Sequence, residues 1–136
     1  IVDDDRIYRA LYKQYLLNMG FEKIEMISNG QECINRLIEN PDIILLDHQM
    51  TPIDGLETLK KIKRFNPNIY LVYLSGQANM KVTIDALKYG AFDYIIKSTM
   101  LEEEQIAVVI NKILDLKELM ASRPKGFFKK LLNSFA

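Results

Sequence analysis

The sequence predicts an α/β fold in which one parallel β-sheet is covered by helices on both faces. Short apolar runs alternate five times with segments of helical period along the 136 residues. Two of these runs, 43–46 and 69–74, are continuously apolar, as strands buried on both faces must be. Five strand–helix units in succession need right-handed crossovers, which place helices on both sides of a single parallel sheet.

The predicted strands are the five apolar runs, and most are four to six residues long. In chain order they are residues 1–2, 24–27, 43–46, 69–74 and 92–96. In open parallel sheets, binding sites form beyond the carboxyl ends of the strands. The residues that follow each run are therefore the candidates for function.

The first two helices are predicted from apolar residues at helical spacing and from the residues that stop them. Gly20 ends the first helix, and Asn40 with Pro41 ends the second. Cys33 is interpreted as a packed residue of the second helix without a chemical role. In the first helix, the side expected to pack carries Ile7, Tyr8, Leu11, Tyr12, Tyr15 and Met19.

The remaining three helices are predicted in the same way. The third ends near Asn66 and Pro67, and the fourth ends at Gly90. Thr99, followed three residues later by Glu102, predicts that a capping box opens the fifth helix. Their apolar positions are Leu56, Leu59 and Ile62 in the third, Met80, Ile84 and Leu87 in the fourth, and Ile106, Val109, Ile110 and Ile113 in the fifth.

Polar residues follow four of the five predicted strands. An acidic triplet at 3–5 follows the first, Asp47 the third, Ser75 the fourth and Lys97 the fifth. Singly, each is typical of a solvated loop, a turn or an ordinary surface position. Adjacent strands lie about 4.8 Å apart, so side chains at these ends are expected to converge. Their joint occurrence favours a functional site.

The chemistry of this set indicates phosphoryl transfer to an aspartate. Carboxylates that share a pocket repel each other by about 4 kcal/mol per pair at about 4 Å and an effective dielectric constant of about 20. A bound Mg²⁺ usually neutralises this repulsion, and its ligands are typically one or two carboxylates, a carbonyl, waters and a phosphate oxygen. Lys97 adds a fixed positive charge and Ser75 a hydroxyl donor. A nucleophile and donors for the equatorial oxygens are what this reaction needs.

Four segments resemble the receiver domain of two-component response regulators. They are VDDD at 2–5, DHQMTPIDG at 47–55, LSG at 74–76 and DYIIK at 93–97. The resemblance covers roughly residues 1–120. It implies a flavodoxin-like (βα)₅ three-layer sandwich with the parallel strand order 2-1-3-4-5.

The resemblance also implies an acceptor and a metal site. Asp47 is the implied phosphoacceptor. Asp4, Asp47 and the backbone carbonyl of Gln49 are the implied Mg²⁺ ligands, and Asp3 is expected to act through water. His48, the only histidine, is interpreted as an exposed loop residue rather than one that tunes phosphate access.

A second implied group carries the signal after phosphorylation. Ser75 and Lys97 are expected to bind the phosphoryl oxygens, and Tyr94 to move between outward and inward rotamers. Gln49 and Gln77 flank the site and are expected to influence how long the phosphate survives. Where the family usually has proline after the lysine, this chain has Ser98.

The resemblance is to a stand-alone, chemotaxis-type bacterial receiver, because the residues after 120 are too few for an effector domain. Such a protein takes its phosphoryl group from a histidine kinase or a phosphotransfer protein. It signals to a target protein through the fourth helix, fifth strand and fifth helix. It turns over no external substrate, and promotes only its own phosphorylation and the later hydrolysis.

Two other classes of protein remain as alternatives. One is a phosphorylation-independent interaction module on the same fold, which would be expected to have lost part of the acidic and lysine set. The other is a hydrolase, for which the sequence offers no second activated nucleophile and no glycine-rich phosphate loop. The formal net charge of zero predicts no direct nucleic-acid partner. One cysteine and no signal or membrane-span pattern predict a cytoplasmic protein.

Residues 121–136 are predicted to be a basic amphipathic extension. No acidic residue follows Glu118, and the polar positions include Lys129 and Lys130. The segment 123–136 is interpreted either as a partner-binding or membrane-surface element, or as a helix that folds back on this domain or on a second copy. A homodimer therefore remains open. The apolar positions, at helical spacing, are Phe127, Phe128, Leu131, Leu132 and Phe135.

Overall fold

Three strands form a parallel sheet in the order β1 (Ile43–Asp47), β2 (Tyr70–Ser75) and β3 (Asp93–Ile96). The computed structural model describes residues 1–76, 80–97, 100–122 and 126–134. Ile44 pairs with Leu71 in the first interface, and Val72 pairs with Asp93 in the second. These strands correspond to the third, fourth and fifth apolar runs of the sequence.

Two single-residue bridges extend the sheet on the other side of β1. Val2 makes parallel bridges to Ile27 and to Leu46, which gives the predicted strand order 2-1-3-4-5. The first two predicted strands are nevertheless wrong in extent, because each is one bridging residue rather than a full strand. Three backbone hydrogen bonds join the run at 24–27 to residues 1–3: Ile27 N to Ile1 O, Asp3 N to Ile27 O, and the terminal ammonium of Ile1 to Glu25 O.

The helices lie in two layers, one on each face of the sheet. Alternate strand residues point to opposite faces, so Leu46 and Leu71 pack in one layer while Leu45 and Val72 pack in the other. This is the predicted three-layer arrangement. The helices are α1 (Arg6–Asn18), α2 (Gly30–Asn35), a 3₁₀ turn (Leu37–Glu39), α3 (Gly55–Phe65), α4 (Met80–Lys88), α5 (Glu102–Ala121) and α6 (Phe127–Ser134).

The first layer contains α2, α3 and α4, and the second contains α1 and α5. Within the described ranges, no helix is both long enough and apolar enough to cross a membrane. Gly20, with φ of 93°, follows α1, a backbone conformation that favours glycine. Cys33 is buried in the first layer, as its sequence context predicts.

The second predicted helix is wrong as a single element. It divides at Arg36, whose backbone leaves the helical region, and a 3₁₀ turn follows. Asn40 then adopts a left-handed conformation with φ of 55°, which asparagine tolerates better than most residues. Proline at the next position cannot continue a helix, so the chain turns here into β1.

The predicted packing faces of α1 and α4 are partly wrong. Ile7 is 77% exposed. The packed face of α1 is formed by Tyr8 and Tyr12 instead, so it begins one residue later than predicted. In α4 the buried residues are Thr83 and Ala86, small side chains that let the helix lie close to its neighbours. The three apolar residues predicted to mark its packed face, Met80, Ile84 and Leu87, are exposed.

The predicted capping box at the start of α5 is also wrong. Leu101 occupies the N-cap position without a side-chain hydrogen bond, and Thr99 lies outside the described residues. Glu102 is the first residue of the helix, whereas the acidic residue of a capping box is the third. Its buried carboxylate instead accepts a hydrogen bond from the hydroxyl of Tyr12, which joins α1 to α5.

Candidate functional site

Polar side chains meet at the carboxyl edge of the sheet, as the strand ends predict. Asp47 is the last residue of β1, Ser75 is the last residue of β2, and Lys97 directly follows β3. The register pairs Ser75 with Ile96, the residue before Lys97. Asp3 joins them because its amide bonds to the carbonyl of the neighbouring bridge strand. The parallel arrangement therefore assembles the site.

Three carboxylates form an acidic cluster in this site. Ligand oxygens of Asp3, Asp4 and Asp47 all lie within 4.8 Å of one another. Asp3 is 0% exposed and Asp47 is 3% exposed, whereas Asp4 is open to solvent. Oxygens around an octahedral Mg²⁺ at about 2.0–2.1 Å from the ion lie about 2.9–4.2 Å apart. A cluster of this kind could hold such an ion and supplies the oxygen ligands it takes, and the exposed Asp4 leaves one side open to water or phosphate.

Lys97 lies between the two buried carboxylates. Its Nζ atom is 2.9 Å from Asp3 Oδ2 and 3.0 Å from Asp47 Oδ1. Burial lowers the pKa of this ammonium, but the hydrogen bonds and negative charge of both carboxylates outweigh burial and keep the pKa above its ordinary value of 10.5. Lys97 is therefore a permanent cation in the site.

The charges of the acidic cluster and Lys97 do not balance without a further cation. Three carboxylates share the single ammonium of Lys97, so a divalent cation at the cluster would relieve their mutual repulsion. Hard divalent cations prefer oxygen ligands of this kind. The donor set thus supports a Mg²⁺ site at the acidic cluster.

The carboxyl of Asp47 has a raised pKa in this environment. Burial raises the pKa of its carboxyl, the negative charge of Asp3 raises it further, and Lys97 opposes both. The resulting pKa is about 6, against an ordinary value of 3.8. Without a metal ion, the ionised form of Asp47 is therefore less favourable in the folded protein than in the unfolded chain.

This shift predicts a pH dependence of stability for the metal-free protein. The folded state keeps the Asp47 proton up to a pH of about 6, whereas the unfolded chain releases it near 3.8. Between these values the folded state binds more protons, so a rise in pH lowers the free energy of unfolding. Urea unfolding in EDTA at pH 4 to 7 should show this fall relative to Asp47→Asn. Parallel pH profiles for the two proteins would contradict it.

The other predicted site residues are distributed around this centre. Ser75 is buried at the end of β2, and Gln49 is exposed in the loop after β1. Tyr94 is 38% exposed on β3. Gln77 and Ser98 lie outside the described residues. The loop after β1 contains a cis peptide bond at Thr51-Pro52.

Three supporting contacts were not predicted from the sequence. The ring of Tyr8 lies under Lys97, with the Nζ atom 3.8 Å from the ring centroid. Arg9 Nη1 donates to the backbone carbonyl of Asp3 at 2.8 Å. His48, expected to be an exposed loop residue, is half-buried and joined to Tyr73. The helical spacing of Tyr8 and Tyr12 soon after the acidic triplet was a sequence signal for the first of these contacts.

A profile of the response regulator receiver domain matches residues 1–120. This chain belongs to the response regulator receiver family. The receiver is 31% identical over 116 residues to the chemotaxis protein CheY of Bacillus subtilis, covering 85% of this chain and 95% of CheY. It is 32% identical to the transcriptional regulatory protein ZraR of Klebsiella oxytoca over 79% of this chain, but spans only 24% of ZraR.

Solved structures agree with this family membership. A CheY-like receiver domain protein from Methanospirillum hungatei is 27% identical with a TM-score of 0.77, covering 88% of this chain and 94% of that one. The receiver domain of NtrX from Brucella abortus is 26% identical with a TM-score of 0.77, covering 84% and 95%. The predicted flavodoxin-like α/β class is confirmed, and residues 1–120 form a receiver domain.

Proposed function

We propose that this receiver accepts a phosphoryl group on Asp47 in a Mg²⁺-dependent reaction. The observation that carries the proposal is the position of Asp47, a buried carboxylate with a raised pKa beside Asp3, Asp4 and Lys97. A buried carboxylate that is poorly stabilised as an anion is a favourable nucleophile once a cation is supplied. Retention of the complete acidic and lysine set favours this over a phosphorylation-independent module.

Each residue of the site has a role in this proposal. Asp4, Asp47 and the carbonyl of Gln49 would hold Mg²⁺, with Asp3 acting through water. The ion supplies charge neutralisation for the phosphoryl oxygens. An Asp47 carboxylate oxygen attacks phosphorus, and the bond from phosphorus to the donor's leaving atom breaks. The leaving atom, an imidazole nitrogen in a phosphohistidine donor, keeps the electron pair, and Lys97 binds the transferred group.

The donor is proposed to be a histidine kinase or a phosphotransfer protein, and the site is proposed to act in the cytoplasm. Gln49 and Gln77 are proposed to influence the rate at which water removes the phosphate. Incubation with a small phosphodonor tests the function directly. A mass increment that is acid-stable, base-labile and abolished by EDTA supports it, whereas no increment at any Mg²⁺ concentration leaves the interaction-module alternative.

Output is proposed to pass through the surface formed by α4, β3 and α5. This surface exposes large apolar side chains, a composition typical of a protein-binding face. Phosphorylation adds about −1.5 to −2 charge beside Lys97, and movement of Ser75 and Tyr94 would carry this change to the surface. Exposed apolar residues on these elements include Ile84, Leu87, Tyr94 and Val108.

An Asp4→Ala variant tests the metal site. Because Asp4 is a proposed direct ligand, its removal should weaken Mg²⁺ binding, measured by calorimetric titration. The metal-free variant should also be more stable, because the negative charge of Asp4 contributes to the raised pKa of Asp47. Asp115→Ala, an exposed aspartate on α5, is the control and should change neither quantity. Unchanged Mg²⁺ affinity in Asp4→Ala would remove Asp4 from the ligand set.

The C-terminal extension is proposed to be a targeting element. The backbone of α6 is helical, Lys129 and Lys130 on it are exposed, and no acidic residue follows Glu118. Truncation after Arg123 should leave phosphorylation of Asp47 intact and weaken binding to anionic lipid vesicles or to a protein partner. Neutral vesicles are the control. If truncation instead lowers stability or changes the oligomeric state without affecting binding, the extension is structural.

A further inference from the structure

A pair of side chains anchors the loop that follows Asp47. The Nδ1 atom of His48 and the hydroxyl oxygen of Tyr73 are hydrogen-bonded at 2.5 Å. Their rings meet edge to face, with centroids 5.7 Å apart and planes at 65°. Tyr73 is fully buried on β2, whereas His48 begins the loop. The loop is therefore tied to the centre of the sheet through its first residue.

The backbone of His48 is fixed at the same point. Its amide donates to the carbonyl of Leu74 at 2.9 Å, and its carbonyl accepts from the amide of Gly55 at 2.8 Å. Both backbone polar groups and the ring of His48 are thus engaged. A residue held by three hydrogen bonds has little freedom to change the direction in which the chain leaves it.

The space around this pair is tightly filled. A Cβ atom added to Gly55 would lie 2.2 Å from the carbonyl oxygen of Asp47, 2.8 Å from His48 Cα and 2.9 Å from the Tyr73 hydroxyl. The start of α3, the end of β1 and the tyrosine hydroxyl therefore touch one another. A displacement of His48 cannot be absorbed here without moving the backbone that carries Asp47.

The hydroxyl of Tyr73 is a polar group in a fully buried position. This hydroxyl loses hydration and needs a partner, whereas a phenylalanine ring would fill the same space with no such requirement. Burial first, then the charges of Asp54 and Asp47, raises the pKa of Tyr73, so the phenol stays neutral. His48 supplies the partner from the loop, which makes loop position and strand packing depend on each other.

We propose that His48 and Tyr73 are positioning residues for the metal site: together they hold the loop so that the carbonyl of Gln49, the next residue, faces the acidic cluster. Neither side chain is a proposed ligand of the ion. The inference rests on the proposed function, since it assigns the pair to the Mg²⁺ site proposed there. Groups that orient metal ligands typically change metal affinity strongly when they are removed.

Calorimetric titration of the full chain with MgCl₂ tests the pair. Tyr73→Phe removes only the hydroxyl oxygen, and we expect its Kd for Mg²⁺ to rise roughly tenfold. His48→Ala removes the imidazole that is hydrogen-bonded to this hydroxyl, and it should raise the Kd for Mg²⁺ by a similar factor. The double variant should bind no more weakly than the weaker single variant, because both changes remove the same hydrogen bond. Tyr70→Phe, at the opposite end of β2, is the control and should bind as the parent does.

Thermal unfolding separates positioning from stability alone. A Tyr73→Phe protein that unfolds at a lower temperature but keeps the parent Kd for Mg²⁺ would overturn the positioning role. Additive losses in the double variant would also overturn it. If the parent protein binds no Mg²⁺, the metal site of the proposed function fails. If the parent binds Mg²⁺ and Asp4→Ala weakens it while Tyr73→Phe and His48→Ala do not, only the positioning role fails.

Discussion

An Asp47→Asn variant is expected to take up no phosphoryl group from a small phosphodonor at any Mg²⁺ concentration. Asparagine keeps the volume and planar shape of the buried side chain but replaces the nucleophilic carboxylate oxygen with an amide. The fold should persist, because the raised pKa of Asp47 means that its charge does not stabilise the metal-free folded state. Intact-mass measurement after incubation gives the extent of phosphorylation, and circular dichroism reports the fold.

The matched control for this change is Asp115→Asn on the exposed side of α5. It carries the same substitution and the same charge difference but lies outside the site. We expect the control to be labelled at the parent rate. Labelling of Asp47→Asn at that rate would show that another residue accepts the phosphoryl group.

Lys97→Ala is expected to have the largest effect on stability. The change removes the cation between Asp3 and Asp47, and leaves two buried carboxylates without their ion pair. Breaking a buried pair in this way typically costs about 3–5 kcal/mol. Urea unfolding at neutral pH in EDTA should show a loss of this size, whereas Lys23→Ala at an exposed position should show almost none.

The sign of the pH dependence gives an independent check on Lys97→Ala. Without the ammonium, the pKa of Asp47 must rise further, because Lys97 is the group that lowers it. Acidification then neutralises the unpaired carboxylate, so the stability difference from the parent should shrink as pH falls. Addition of Mg²⁺ should shrink it as well. A difference that is constant with pH would contradict the role of Lys97 as the counter-charge.

Lys97→Ala should also uncouple phosphorylation from output. Phosphate is expected to reach Asp47 still, since the nucleophile and the metal ligands remain. The transferred group would lack its cationic partner, so the surface around Tyr94 should not change. Binding of a target protein with and without phosphodonor measures this coupling. Normal phosphate-dependent binding in the variant would defeat the proposal.

The strand ends were predictable because their signals are local. Asp47 and Ser75 each follow a continuously apolar run, and the parallel topology alone brings the ends of such runs together. The family match and the strand order agree with that prediction. The helix faces were less predictable, because α4 packs through Thr83 and Ala86 rather than through its larger apolar residues.

The contacts that support the site depend on residues far apart in the chain. Tyr12 bonds to Glu102, Tyr8 lies under Lys97, and His48 meets Tyr73. Periodicity places a tyrosine on the packed face of a helix, but not its hydroxyl beside one particular carboxylate. Such pairs follow from the packing of whole layers, which the sequence pattern specifies only as apolar or polar.

Borohydride reduction of the phosphorylated protein, followed by peptide mapping, locates the acceptor directly. An acyl phosphate is reduced to an alcohol, so a phosphorylated aspartate becomes homoserine and an unmodified aspartate does not. We expect homoserine at position 47 alone, in an amount that depends on Mg²⁺. Homoserine at position 3 or 4 with none at 47, or no homoserine after incubation with phosphodonor and Mg²⁺, would contradict phosphorylation of Asp47.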